Sequence, residues 1–184
     1  MTHLSYTKGF PGIADVFLRD PRLYAPLLQF ISDVMTRESE LTVAEREMIA
    51  AHVSRRNGCG FCVGVHRATL ASLGIEAKLI KALEEGSESA AFPPRFRAML
   101  RFATKLTETP ERVEKADVDD LLKAGWPEQA VEDAINVIAL FAYVNRLVDA
   151  LGIAGEDSYF RQIGQTLARR GYAPLLETAL ERAG

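Results

Sequence analysis

The sequence predicts an all-α protein, a single-domain helical bundle over residues 1–184, from three observations. Apolar residues recur at three- and four-residue spacing along most of the chain. No run alternates apolar and polar residues between hairpin turns. Gly, Pro, Asn and Thr stand where helices begin and end. A chain of 184 residues, 48% hydrophobic and 26% charged, is long enough to bury a core without covalent or metal staples.

The elements follow in order. Residues 11–19 read as a short helix, and 21–36 as a second with Tyr24, Leu27, Leu28, Ile31 and Met35 at helical spacing. Pro26 places the proper start of that second helix near itself. Thr42 and Glu45 form the pattern of a capping box, opening a helix through Met48, Ile49, Ala51 and Val53 that Asn57-Gly58 stops. The next helix begins at once with Cys59-Gly60-Phe61-Cys62 and ends near Gly74. Residues 76–85 and 94–107 follow as helices, and Asp117 caps another that ends at Gly125. Pro127 suits a first helical position, and the mostly apolar pattern from there to Leu151 is expected to be the core helix. Helices over 158–170 and 174–183 close the chain. The loop at 87–94, rich in Ser, Ala and Pro, receives no role.

Composition narrows the function. Lys and Arg number 22 against 25 Asp and Glu, a net charge of -3, and the charges are scattered. No basic run offers itself to nucleic acid. The start, MTHLSYTKGF, lacks the basic and apolar segments of a secretion signal, and the longest uncharged apolar segment, 134–145, is too short to span a bilayer. The expectation is a cytoplasmic protein with no membrane partner. The only two cysteines lie three residues apart, too close to act as a structural staple. In a reducing compartment such a pair points to redox or metal chemistry.

Spacing carries the chemistry. At about 100° per residue, Cys59, Cys62 and His66 share a helix sector of roughly 60°. Cys59, at the helix start, gains from unpaired amides and the helix dipole, which favour a thiolate. Cys62 lies four residues before His66, where an imidazole can accept a thiol proton. The residues alone leave open which thiol attacks. The two sulfurs can also close a disulfide, so one thiol can trap a sulfenic acid formed on the other. Glu47 and Ser54, seven residues apart, share a face of the preceding helix, and a tight helical hairpin would lay them near His66. A carboxylate there would orient the imidazole and raise its basicity.

Glu47, eleven intervening residues that include Ser54 and Asn57, then Cys59, Cys62 and His66 resemble the E-x11-CxxC-x3-H signature of the alkylhydroperoxidase D and carboxymuconolactone decarboxylase superfamily. The segment 142–152 resembles the closing helix of its longer peroxidase-related branch. The resemblance spans residues 20–155, with its signature core at 42–74. It implies a thiol peroxidase that reduces organic hydroperoxides or hydrogen peroxide. Glu47 and His66 would relay a proton from Cys62 as the peroxidatic thiol, Cys59 would resolve it, and Ser54 and Asn57 would support the site. No tightly bound cofactor or metal is implied. The reductant would be an external thiol, either a small thiol or an electron-donor protein such as a lipoyl-bearing one. The resemblance also implies a homo-oligomer: a dimer, trimer or hexamer. Phe61 departs from the well-studied members, which carry His at that position.

Other readings compete. Two Cys, one His and one Glu could bind zinc, although zinc ligands usually come as two separated pairs. Haem attachment requires His directly after the second Cys, where Val63 stands. A lyase of the carboxymuconolactone decarboxylase kind would not need a CxxC, and a thiol-disulfide adaptor or redox sensor would use the same pair without peroxide. His52, on a different face from Glu47, and His3, in a terminal tail, are assigned no function. Asn145 and Arg146 interrupt an apolar helix without an assigned role.

Overall fold

Asp20 accepts a hydrogen bond from the Leu23 amide and starts a helix at Pro21. The computed structural model describes residues 2–86 and 90–184, and residues 87–89 of the Ser-rich loop lie outside it. Ten α-helices follow one another in it: α1 (Ile13–Arg19), α2 (Pro21–Thr36), α3 (Val43–Arg56), α4 (Gly60–Ser72), α5 (Ala77–Glu84), α6 (Pro94–Glu108), α7 (Lys115–Lys123), α8 (Glu128–Leu151), α9 (Asp157–Arg170) and α10 (Ala173–Ala183). Among the described residues there is no strand.

Three boundaries differ from the sequence expectation. The second helix begins at Pro21, not near Pro26, which lies inside it. Pro21 fills the first helical position, where its missing N–H costs nothing, and the side chain of Asp20 completes the cap. Asp117 is not the cap of α7 but its third helical residue, closing a capping box whose N-cap is Glu114. Pro127 precedes the first helical residue of α8. Nor is His3 loose: its amide and its Nδ1 bond to the carbonyls of Leu151 and Ala150.

The most enclosed helix is α3, not α8. Every residue of α3 from Arg46 to Ser54 is buried, and the helix packs against α2, α4, α5, α6 and α8. The charged Arg46 and Glu47, buried within it, disguised this in the sequence. Arg46 donates to the Arg37 carbonyl at 2.7 Å and lies 3.6 Å from Asp133 of α8, which also holds Arg37 and Ser39. This pairing offsets part of the cost of burying the charge, and Arg46 Nε and Nη2 make no hydrogen bond among the described residues. By contrast α8, although long and apolar enough to cross a membrane, presents Ile135 and Tyr143 to solvent while packing its other faces on α3, α6 and α2.

The last two helices shape the site. α9 lies directly on α4, and α10 on α2. The first approach depends on Gly164, where a Cβ would stand 2.6 Å from the Ala68 carbonyl carbon, and on Gly64, which leaves room for the Phe160 ring.

Candidate active site

The turn between α3 and α4 is fixed by backbone chemistry. The amides of Gly58 and Cys59 bond to the carbonyls of Arg55 and Ser54, the paired bonds of a Schellman motif, with Gly58 at φ +77°. Cys59 ends this motif and is also the N-cap of α4, although its side chain makes no capping hydrogen bond. Asn145 of α8 clamps the turn. Its Oδ1 accepts from Asn57 Nδ2 at 2.9 Å, and its Nδ2 donates to Ser54 Oγ at 3.0 Å. The Ser and Asn of the motif therefore act on each other through a residue 88 positions away from Asn57.

The helical hairpin of α3 and α4 brings Glu47 to His66. Glu47 Oε2 lies 2.7 Å from His66 Nδ1, both residues being buried, at 2% and 1% exposure. A carboxylate partner makes Nδ1 the donor and leaves Nε2 as the acceptor. Phe141 of α8 packs edge-on against the imidazole, with ring centroids 4.5 Å apart.

The two sulfurs are equally enclosed. Cys59 is fully buried, Cys62 is 3% exposed, and the Cys59 thiol donates to the Cys62 sulfur at 2.9 Å. That hydrogen bond, together with burial, pushes the Cys59 thiol far above the usual range, with a lesser contribution from the Asp149 carboxylate. The helix dipole, which favours a thiolate at Cys59, is thus opposed in the folded protein. A dipole is worth at most about 2 kcal/mol and is outweighed by a direct hydrogen bond to sulfur and the loss of water.

Cys62 and His66 lie on the wall of one cavity of about 290 Å³. The remaining wall is almost wholly apolar: Ile13 and Phe17 of α1, Leu28 and Ile31 of α2, Val144 of α8, and residues of α9 and α10. Phe61 belongs to this wall, packed on Tyr159 and Phe160 of α9 at centroid distances of 5.9 and 5.6 Å. An aromatic residue at this position thus suits a pocket closed by α9. Tyr172 also lines the cavity. The sequence offered no signal for Tyr172, which no periodicity connects to Cys62 or His66. Among the described residues, no group of three or more His, Cys, Asp and Glu side chains is arranged to hold a metal ion.

A helical bundle with a buried dithiol at a helix start, backed by a hydrogen-bonded His and Glu, defines a class of helical CxxC proteins. The profile of the Carboxymuconolactone decarboxylase family matches residues 21–105. A peroxidase-related protein from Silicibacter superposes with a TM-score of 0.77 at 29% identity, covering 82% of this chain and 79% of that one. An alkylhydroperoxidase AhpD core protein from Ralstonia eutropha, also described as peroxidase-related, gives 0.75 at 28%, covering 82% and 78%. Bacillus subtilis YdfG is 25% identical over 117 residues, 64% of this chain and 80% of its own. The family match over residues 21–105 and these two structures support assignment to the alkylhydroperoxidase D and carboxymuconolactone decarboxylase superfamily.

Proposed function

We propose that the protein is a thiol peroxidase that reduces organic hydroperoxides. The observation that carries this reading is that Cys62 and His66 share one apolar cavity, with the Cys59 thiol 2.9 Å from the Cys62 sulfur. In the proposed cycle, His66 Nε2, oriented by Glu47, takes the Cys62 proton. The thiolate then attacks the distal peroxide oxygen, the O–O bond breaks, and the alkoxide leaves as an alcohol with the proton returned through the relay. Cys62 becomes a sulfenic acid. The Cys59 sulfur attacks it, forming the disulfide and releasing water, which removes the sulfenic acid before it oxidises further. An external dithiol restores both thiols.

The apolar wall supports an organic hydroperoxide over hydrogen peroxide, because contact with an alkyl group contributes about 25 cal/mol per Å² of apolar surface buried. It counts against a lactone carboxylate, which would need a charged partner beside it. Burial of both sulfurs also counts against a thiol-disulfide adaptor, whose partner protein must reach a sulfur directly. A small thiol or a slender lipoyl arm suits such a site better as reductant. We place the protein in the cytoplasm, where the dithiol would be kept reduced. We further propose a homo-oligomer, supported by the exposed apolar side chains Leu23 and Phe30 on α2 and Tyr143 on α8, with light scattering as its test.

The decisive test is stopped-flow oxidation of the reduced protein by cumene hydroperoxide, followed by intact mass. A fast disulfide in wild type, no fast phase in Cys62→Ser, a trapped sulfenic acid in Cys59→Ser and a slowed reaction in His66→Gln are expected. Thiol loss no faster than that of free cysteine would end the peroxidase reading.

A further inference from the structure

The wall of the cavity beside Cys62 has two origins. α2 and α4, the second carrying Cys62 and His66, lie within the matched residues 21–105, whereas α1, α8, α9 and α10 close the cavity from outside them. Glycines seat these outer helices. A Cβ at Gly12 would overlap the Tyr159 hydroxyl, so the start of α9 rests against the start of α1. Gly171 takes φ +57° and ψ -146°, a combination open essentially to glycine alone, and lets α10 fold back onto α2. A Cβ there would lie 2.8 Å from Thr36 Cγ2, at the end of α2.

Among the described residues, this wall contains no Asp, Glu, Lys or Arg. Its polar groups are occupied or uncharged. His66 is held by Glu47 at 2.7 Å. The hydroxyls of Thr166 on α9 and Thr178 on α10 donate to the carbonyls of Gln162 and Pro174, one turn back on their own helices. The phenols of Tyr159 and Tyr172 are neutral at neutral pH. A carboxylate or sulfonate drawn into this space would lose its water and gain no free counter-ion, whereas an apolar group leaves water for apolar contact. Roughly 150 Å³ of apolar cavity holds a benzene ring. The cavity of about 290 Å³ therefore has room for one ring with a branched alkyl group.

We propose that the cavity selects uncharged organic hydroperoxides over anionic ones, and that the uncharged inner faces of α9 and α10 set this choice. The hydroperoxide as ligand rests on the peroxidase reading, whereas the preference for an uncharged occupant does not.

Two pairs of probes, each differing by one anionic group, provide the test. N-phenyl-naphthylamine and its sulfonate, anilinonaphthalenesulfonate, report binding by fluorescence. Cumene hydroperoxide and its para-carboxylate report oxidation of the thiols by stopped flow. Wild type is expected to bind the uncharged naphthylamine at least about tenfold more tightly than the sulfonate, with displacement by cumyl alcohol, and to be oxidised at least about tenfold faster by cumene hydroperoxide than by the carboxylate. Thr166→Lys and Thr178→Lys, which bring a cation to the wall on α9 or α10, are expected to narrow both ratios by about threefold or more. Equal affinity for the two naphthylamines would overturn the proposal, as would binding that cumyl alcohol does not displace, or equal oxidation rates above that of free cysteine. Ratios unchanged in both lysine variants would overturn the assignment of the choice to α9 and α10. If neither hydroperoxide oxidises wild type faster than free cysteine, the peroxidase reading falls, and the naphthylamine pair still decides whether the cavity prefers an uncharged occupant.

Discussion

The Glu47 carboxylate and the His66 imidazole meet at 2.7 Å with side chains only 3% and 2% accessible, on two helices joined by a three-residue turn. Water cannot substitute for either partner there. Glu47→Gln keeps the shape but removes the negative charge beside His66 Nδ1, and oxidation of Cys62 by cumene hydroperoxide is expected to slow by about 10²-fold. An unchanged stopped-flow rate in a folded Glu47→Gln protein would remove the carboxylate from the mechanism.

Asn145 ties Ser54 to Asn57 across the start of the CxxC helix. Asn145→Ala leaves both partners without their hydrogen bond inside the protein, at a cost of about 1–3 kcal/mol. Urea denaturation should show a lower midpoint with an unaltered slope. A midpoint equal to that of wild type would mean that the clamp contributes nothing to stability.

His52 is buried on α3, bonded through Nε2 to Thr104 at 2.8 Å, and burial lowers its pKa from 6.5 to about 4. The unfolded chain therefore binds a proton at this residue that the folded chain refuses. Stability from this residue is complete above the unfolded value of 6.5 and is lost as pH falls through about 4, for a total of about 3 kcal/mol. Denaturation midpoints measured across that window should fall in wild type and fall less in His52→Leu. Parallel curves for the two proteins would contradict the assignment.

Gly164 gives a test with an informative sign. On an exposed helix face, Gly to Ala stabilises by about 1 kcal/mol. Here the new Cβ would press on the Ala68 backbone, which must shift, so Gly164→Ala is expected to destabilise by about 1–3 kcal/mol. Thermal melting should show a Tm lower by several degrees. A Tm at or above that of wild type would show that α9 can move off α4 without cost.

Local spacing made much of the fold and the centre of the site legible. The Thr42 and Glu45 capping box, the stop at Asn57 and Gly58, and the helix start at the CxxC are each set by residues within about one helical turn of one another. The step from Cys62 to His66 places both on one face whatever surrounds them. Glu47 reached His66 because only a three-residue turn separates their helices, which makes an antiparallel hairpin the short solution.

What lay outside such spacing was not legible. Apolar composition pointed to α8 as the centre, yet α3 is enclosed, with Arg46, Glu47 and His52 each finding one hydrogen-bond partner on another part of the chain. Helix-start electrostatics favoured a thiolate at Cys59, and the hydrogen bond to Cys62 within a dry interior opposes it. Asn145 lies far along the chain from the Ser54 and Asn57 it bonds, and Tyr172 from the Cys62 and His66 whose cavity it lines. The sequence determined which residues could share a helix face, because helical periodicity is a local property. Tertiary structure alone decided which faces met, because burial, cavity shape and the strength of each charge depend on what packs against them.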